Sequence, residues 1–66
     1  MRIRECREGR GISQSELASL SGVSQAMISE AERGDKQLTV PKALAIANAL
    51  KVTLDELING QEEHTA

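Results

Sequence analysis

Between Ser13 and Gly34 the chain carries start and stop signals for two short helices and leaves almost nothing over for the turn between them. That constraint comes first. Ser13-Gln14-Ser15-Glu16 reads as a capping box, in which the Ser13 hydroxyl takes the Glu16 amide and the Glu16 carboxylate returns to the Ser13 amide. Ile12 and Leu17 flank that cap at hydrophobic-staple spacing. The first helix ends at Ser21, because Gly22 supplies the left-handed conformation that closes a helix cheaply. A second start follows at once, with Ser24 as cap and Val23 and Ile28 at staple spacing; this helix runs to Arg33 and Gly34 closes it. Helices this short are not stable alone. They serve a purpose together when the second is held out rigidly against something.

Length and inventory narrow the rest. Sixty-six residues make one small domain with a single core, and a chain of that size buries only about 60% of the surface it exposes when unfolded. One cysteine excludes an internal disulfide, and no His/Cys cluster exists to hold a structural metal, so neither metal nor cofactor is expected. Cys6, three residues after Ile3 on the apolar stripe of a first helix, reads as a buried, inert thiol. The one histidine, His64, falls in the polar tail, and no nucleophile has a base at a workable spacing. No enzyme is expected. No secretory signal is visible, and the apolar run Ala43 to Leu50 is short and interrupted by Asn48. A cytoplasmic, nucleoid-associated protein with no membrane partner is the expectation.

Helical punctuation continues on both sides of the central pair. Arg2 to Glu8 forms a first helix with Ile3 and Cys6 inward, ended by Gly9 or Gly11. Thr39 caps a fourth helix, where Pro41 is tolerated in the first turn. Leu44, Ala47 and Leu50, flanked by Ala43 and Ile46, form its apolar face. Val52-Thr53-Leu54-Asp55-Glu56-Leu57 repeats the staple and capping-box order of Ile12 to Leu17, so a fifth helix runs from Leu54 to about Ile58 and Gly60 closes it. No segment alternates with period two over strand length. The fold is all-α, five helices in one domain over residues 1–60, followed by a short polar tail over 61–66.

With this order and spacing the chain resembles the Cro/CI-type (XRE) helix-turn-helix family of phage and bacterial repressors. The resemblance rests on Ile12-Ser13-Gln14-Ser15-Glu16-Leu17-Ala18, Gly22-Val23-Ser24-Gln25, Ile28-Ser29, Glu32-Arg33-Gly34, Ala45-Ile46-Ala47 with Leu50, and Leu54-Asp55-Glu56-Leu57. It implies a compact five-helix, lambda-repressor-like DNA-binding domain that works as a homodimer on a two-fold operator. It also implies that the helix after Ser24 is the recognition helix, that Gln14 contacts the DNA backbone, and that Arg7 and Glu32 form a structural ion pair.

The residues can be read physically beside that likeness. At about 100° per residue, Gln25, Ala26, Ser29 and Arg33 share one side of the third helix, and Ile28 and Ala31 the other. Gln25 can bond adenine N6 and N7, Ala26 can touch a thymine methyl, and Ser29 can pair with several base edges. Glu30 has three readings: acceptor from cytosine N4, partner of Arg33, or a solvated acid at the groove's edge. For the DNA backbone the candidates are Gln14 and Ser15 at a helix N-terminus, Ser24 and Met27 around the second cap, and the cations Arg10, Arg33, Lys36 and Lys42. Met27, at the edge of both faces, also reads as packing filler. Ala31 is small for its place, which predicts a thin core beneath that helix. Arg2 and Arg4 read as solubilising charges on the first helix.

Charge bears on partner class. Eight Lys and Arg against ten Asp and Glu give a formal net charge of -2, where a basic surplus is the usual footprint of a nucleic-acid binder. The basic residues are grouped, however, at the N-terminus and after the third helix. A basic face on an acidic body is expected, with double-stranded DNA as partner and repression of transcription as function. The rival is an antitoxin or adaptor that uses the same scaffold to bind a partner protein. Leu54 and Ile58, expected to be exposed in a monomer, are the candidate dimer interface.

Overall fold

The computed structural model describes residues 1–59. In chain order they form α1 (Ile3–Gly9), α2 (Gln14–Ser21), α3 (Gln25–Glu32), α4 (Val40–Leu50) and α5 (Leu54–Asn59), with no strand among the described residues. A hydroxyl starts every helix but the first. Ser13 accepts from the Glu16 amide at 3.0 Å while Glu16 accepts from the Ser13 amide at 2.8 Å. Thr53 and Glu56 repeat that reciprocal pair at 3.0 and 2.8 Å. Ser24 accepts from Met27 N–H at 3.1 Å, and Thr39 from Lys42 N–H at 3.4 Å. Each such cap is worth about 1 kcal/mol. α1 lacks one; instead the Arg2 amide ahead of it donates to the Leu57 carbonyl at 2.7 Å, tying the start of the chain to α5.

Helix ends are equally local. Gly11, Gly22 and Gly34 all take positive φ; α1 itself runs to Gly9 with Arg10 as its cap, and Gly11 supplies the left-handed residue of the turn that follows. α4 ends on Lys51 at φ 63°, a left-handed conformation that costs an L side chain about 1–2 kcal/mol. α1 is offset by one residue from the expected Arg2–Glu8. α3 stops at Glu32, with Arg33 as its cap. Gly60 and the expected tail over residues 61–66, with His64, lie outside the described residues.

Packing converges on an aliphatic core of Ile3, Leu17, Val23, Ile28, Ile46, Ala47, Leu50 and Leu57, with Cys6, Met27, Ala31 and Val52 half-buried against it. Fully burying each large aliphatic side chain contributes about 1.5–3 kcal/mol. α2 packs on α4 and α3, α1 on α3 and α4, and α5 on α4. Cys6, expected to be buried, is a half-buried free thiol, and that burial pushes its pKa up. Two further expectations need correction. α4 buries Ala43, Ile46, Ala47 and Leu50, while Leu44 is 45% exposed: the buried stripe is centred on Ile46 because α2 approaches from that side as α5 does. Leu54 is half-buried against the core rather than exposed, whereas Ile58 does stand out, 48% exposed.

Candidate nucleic-acid interface

α3 is fastened on one side and open on the other. Ile28 is fully buried, and the Val23 and Met27 side chains flank it against the core. On the opposite side Gln25 and Ala26 are exposed in the first turn, Ser29 is half-buried one turn on, and Arg33 is exposed at the cap. Short polar side chains at the leading turn of a projecting helix are what a major groove admits.

A carboxylate holds the far end of α3 in place. The Glu32 side chain is fully buried and Arg7 only 12% exposed. Arg7 Nε donates to Glu32 Oε2 at 2.8 Å and Nη2 to Oε1 at 3.2 Å, the two-pronged geometry a guanidinium favours. Its remaining Nη1 donates to the Ile12 carbonyl at 2.9 Å, so one side chain joins α1, the loop before α2, and α3. Gln14 Nε2 adds a bond to Glu32 Oε1 at 3.0 Å, and the exposed Arg4 Nε reaches the same oxygen at 3.5 Å. Burial alone pushes the Glu32 carboxyl up. The bonds from Arg7, Gln14 and Arg4 and the Arg7 charge outweigh it and hold the group below its usual range. The bond to Glu32 likewise raises Arg7.

Around this anchor the backbone-contact candidates divide. Gln14 is turned inward and half-buried, its amide nitrogen bonded to Glu32. Its main-chain N–H and that of Ser15 remain at the first turn of α2, where helix geometry provides no internal acceptor and the dipole attracts an anion. Ser24 engages its hydroxyl oxygen as a cap, and that bond takes the Met27 N–H out of reach of a phosphate. Met27 is half-buried against the core, as a packing residue. Arg10 and Lys42 are exposed and make no ion pair among the described residues. Arg33 and Lys36 are both matched by acids: Arg33 Nε lies 2.9 Å from Asp35 Oδ2, and Lys36 Nζ 3.7 Å from Glu30 Oε1. Glu30 thus pairs with Lys36, not with Arg33.

Sequence reading missed the roles of two participants. Arg4 bonds Glu32 besides solubilising α1, and Asp35 holds the guanidinium of Arg33. A signal for Asp35 did exist: a glycine at the residue after a helix cap folds the next residue back beside the last turn.

Similarity to known proteins agrees with this geometry. A family profile described as helix-turn-helix matches residues 3–57. The chain is 35% identical over 63 residues to the HTH-type transcriptional regulator SutR of Escherichia coli. That match takes in 96% of this chain but 35% of SutR, so the chain spans about a third of that relative's length. The crystal structure of the restriction-modification controller protein C.AhdI from Aeromonas hydrophila is similar at a TM-score of 0.82 and 38% identity, covering 85% of each chain.

Proposed function

The chain belongs to the helix-turn-helix family, and from that membership we propose that it is a sequence-specific, DNA-binding regulator of transcription that acts without catalysis of its own. One observation carries the reading: α3 exposes Gln25 and Ala26 at its first turn while Ile28 and, two turns on from Gln25, Glu32 lock the helix into the fold. A rigid helix loses little freedom on entering a groove. Gln25 then bonds an adenine edge through both ends of its amide, and Ala26 packs on a thymine methyl. The main-chain N–H groups of Gln14 and Ser15, with Arg10 and Lys42, hold the phosphates and set the register.

Since one such helix makes few base contacts, we infer a homodimer on a two-fold operator, with half-sites about one helical turn apart. Val40, Leu44 and Ile58, the exposed apolar side chains of α4 and α5, are where we place the contact between copies, with repression as the outcome of occupying a promoter. Selection from a randomised duplex pool, with titration at two salt concentrations, tests this. Enrichment of a two-fold sequence supports it. Equal, weak retention of all sequences defeats it and favours the protein-partner role that the net charge of -2 leaves as rival.

A further inference from the structure

α3 ends in a reversal that does more than stop a helix. Gly34, at φ 81°, donates its N–H to the Ala31 carbonyl at 3.1 Å, and Asp35 donates to the Glu30 carbonyl at 2.9 Å. This six-to-one closure folds the residue after the glycine back beside the last helical turn. There Asp35 Oδ2 accepts from Arg33 Nε at 2.9 Å, and Arg33 Nη1 donates to Ser29 Oγ at 2.7 Å. We propose that Asp35 is a specificity-determining positioning residue, which through Arg33 fixes the Ser29 hydroxyl as a hydrogen-bond donor toward an acceptor on a base edge. This rests on the reading of DNA by α3 given above.

The chemistry of the three side chains sets the direction. A guanidinium is planar and only donates, so anchoring one of its N–H groups on Asp35 aims the others. A serine hydroxyl has one proton and two lone pairs. With one lone pair of Ser29 held by the 2.7 Å bond from Arg33, its proton and one lone pair remain, and accepting from the cationic guanidinium polarises the hydroxyl so that the proton is the stronger partner for the groove. Ser29 lies one turn along α3 from Gln25, on the same side of the helix. Guanine N7 and O6, adenine N7 and thymine O4 accept such a proton, whereas cytosine N4 and adenine N6 are donors themselves. The position under Ser29 is therefore selected for an acceptor edge. Arg33 acts first on Ser29 and only with its remaining N–H groups on phosphate.

A charge-matched pair of variants tests this. D35A and D35N both remove the negative charge, but only the asparagine keeps an oxygen that can accept from Arg33. Wild type, D35A, D35N and S29A are each put through selection from a randomised duplex pool, with thermal melts alongside to confirm equal folding. The wild type is expected to disfavour cytosine, the one base without a major-groove acceptor, about tenfold at one position of the contacted strand per half-site. S29A erases that preference and leaves the Gln25 position intact. D35A reduces it to about threefold or less, and D35N retains it. Full preference in D35A, or equal loss in D35A and D35N, overturns the proposal while leaving DNA reading standing. A wild type that enriches no sequence overturns the DNA reading itself, and this inference with it.

Discussion

Glu30 and Glu32 lie two residues apart on α3 and live in different chemistry. Glu32 has a fully buried side chain and accepts from Arg7, Gln14 and Arg4. Glu30 has a side chain 41% exposed and a single lysine 3.7 Å away. Two residues turn a helix by about 200°, so the two carboxylates point away from each other, Glu32 into the joint with α1 and Glu30 toward Lys36 beyond the end of α3. The first is a charge removed from water, and it is stable only because donors replace that water. The second keeps its water and gains little from its partner. A helix that reads a ligand needs both: a side that cannot move, and a side where charge can be changed without unfolding the protein.

The largest expected effect follows from the buried member. Arg7→Met or Glu32→Leu alone strands the opposite charge and lowers stability by about 3–5 kcal/mol, a large share of the 5–15 kcal/mol typical of a folded domain. The double variant recovers much of that loss, because no buried charge is left unpaired and Arg4, which loses Glu32 as well, is exposed to water. Thermal melts of the three proteins check this, and additive effects below about 1 kcal/mol place the pair in the same class as Glu30–Lys36. Acid sharpens the contrast. Because Glu32 titrates below its ordinary value of 4.5, its contribution is complete above that value and fades as pH falls through the lowered one. The stability gap between wild type and Glu32→Gln is therefore expected to be constant from neutrality down to the ordinary value and to shrink below it.

Next in size is the open side. Gln25→Ala is expected to weaken binding to the selected sequence by about 1–3 kcal/mol and to relax choice at one base pair per half-site. Its melting temperature should match wild type within about 1 °C, since the side chain is exposed and the Ser24 cap is untouched. Competition titrations against single-base variants of the selected duplex measure it. An unchanged base preference moves the reading face away from Gln25.

What could be read from the sequence was what neighbours in sequence decide. Ser13 with Glu16 and Thr53 with Glu56 close their boxes within three residues, so both helix starts were legible. The Arg7–Glu32 pair, 25 residues apart, was reached through a family likeness rather than through any local rule. Leu44 was misplaced because periodicity gives the width of an apolar stripe, while its centre depends on where α2 lies. Gln14 points inward for a similar reason: an acceptor 18 residues away competes for its amide. Asp35 needed the three-dimensional reversal at Gly34 before its carboxylate met Arg33. Long-range polar partners, in short loops above all, are where pattern alone runs out.

The smallest effect expected is that of Glu30→Gln, and it sharpens the comparison most cleanly. An exposed pair such as Glu30–Lys36 contributes about 0–1 kcal/mol, so the melting curve should scarcely move, against the large loss at Glu32. Binding separates the two readings still open for Glu30. An acceptor from cytosine N4 predicts that the variant loses preference at one base pair. An acid at the groove's edge predicts instead that every duplex is bound somewhat more tightly, because a repulsive charge is gone and Lys36 is released toward a phosphate. One added phosphate contact steepens the dependence of log K on log salt by about 0.9. The 3.7 Å approach of Lys36 and the half-exposed carboxylate favour the second outcome: uniform tightening with a steeper salt slope. Titrations of the selected and a scrambled duplex at three salt concentrations distinguish it from a base-specific loss, which would return Glu30 to the reading face.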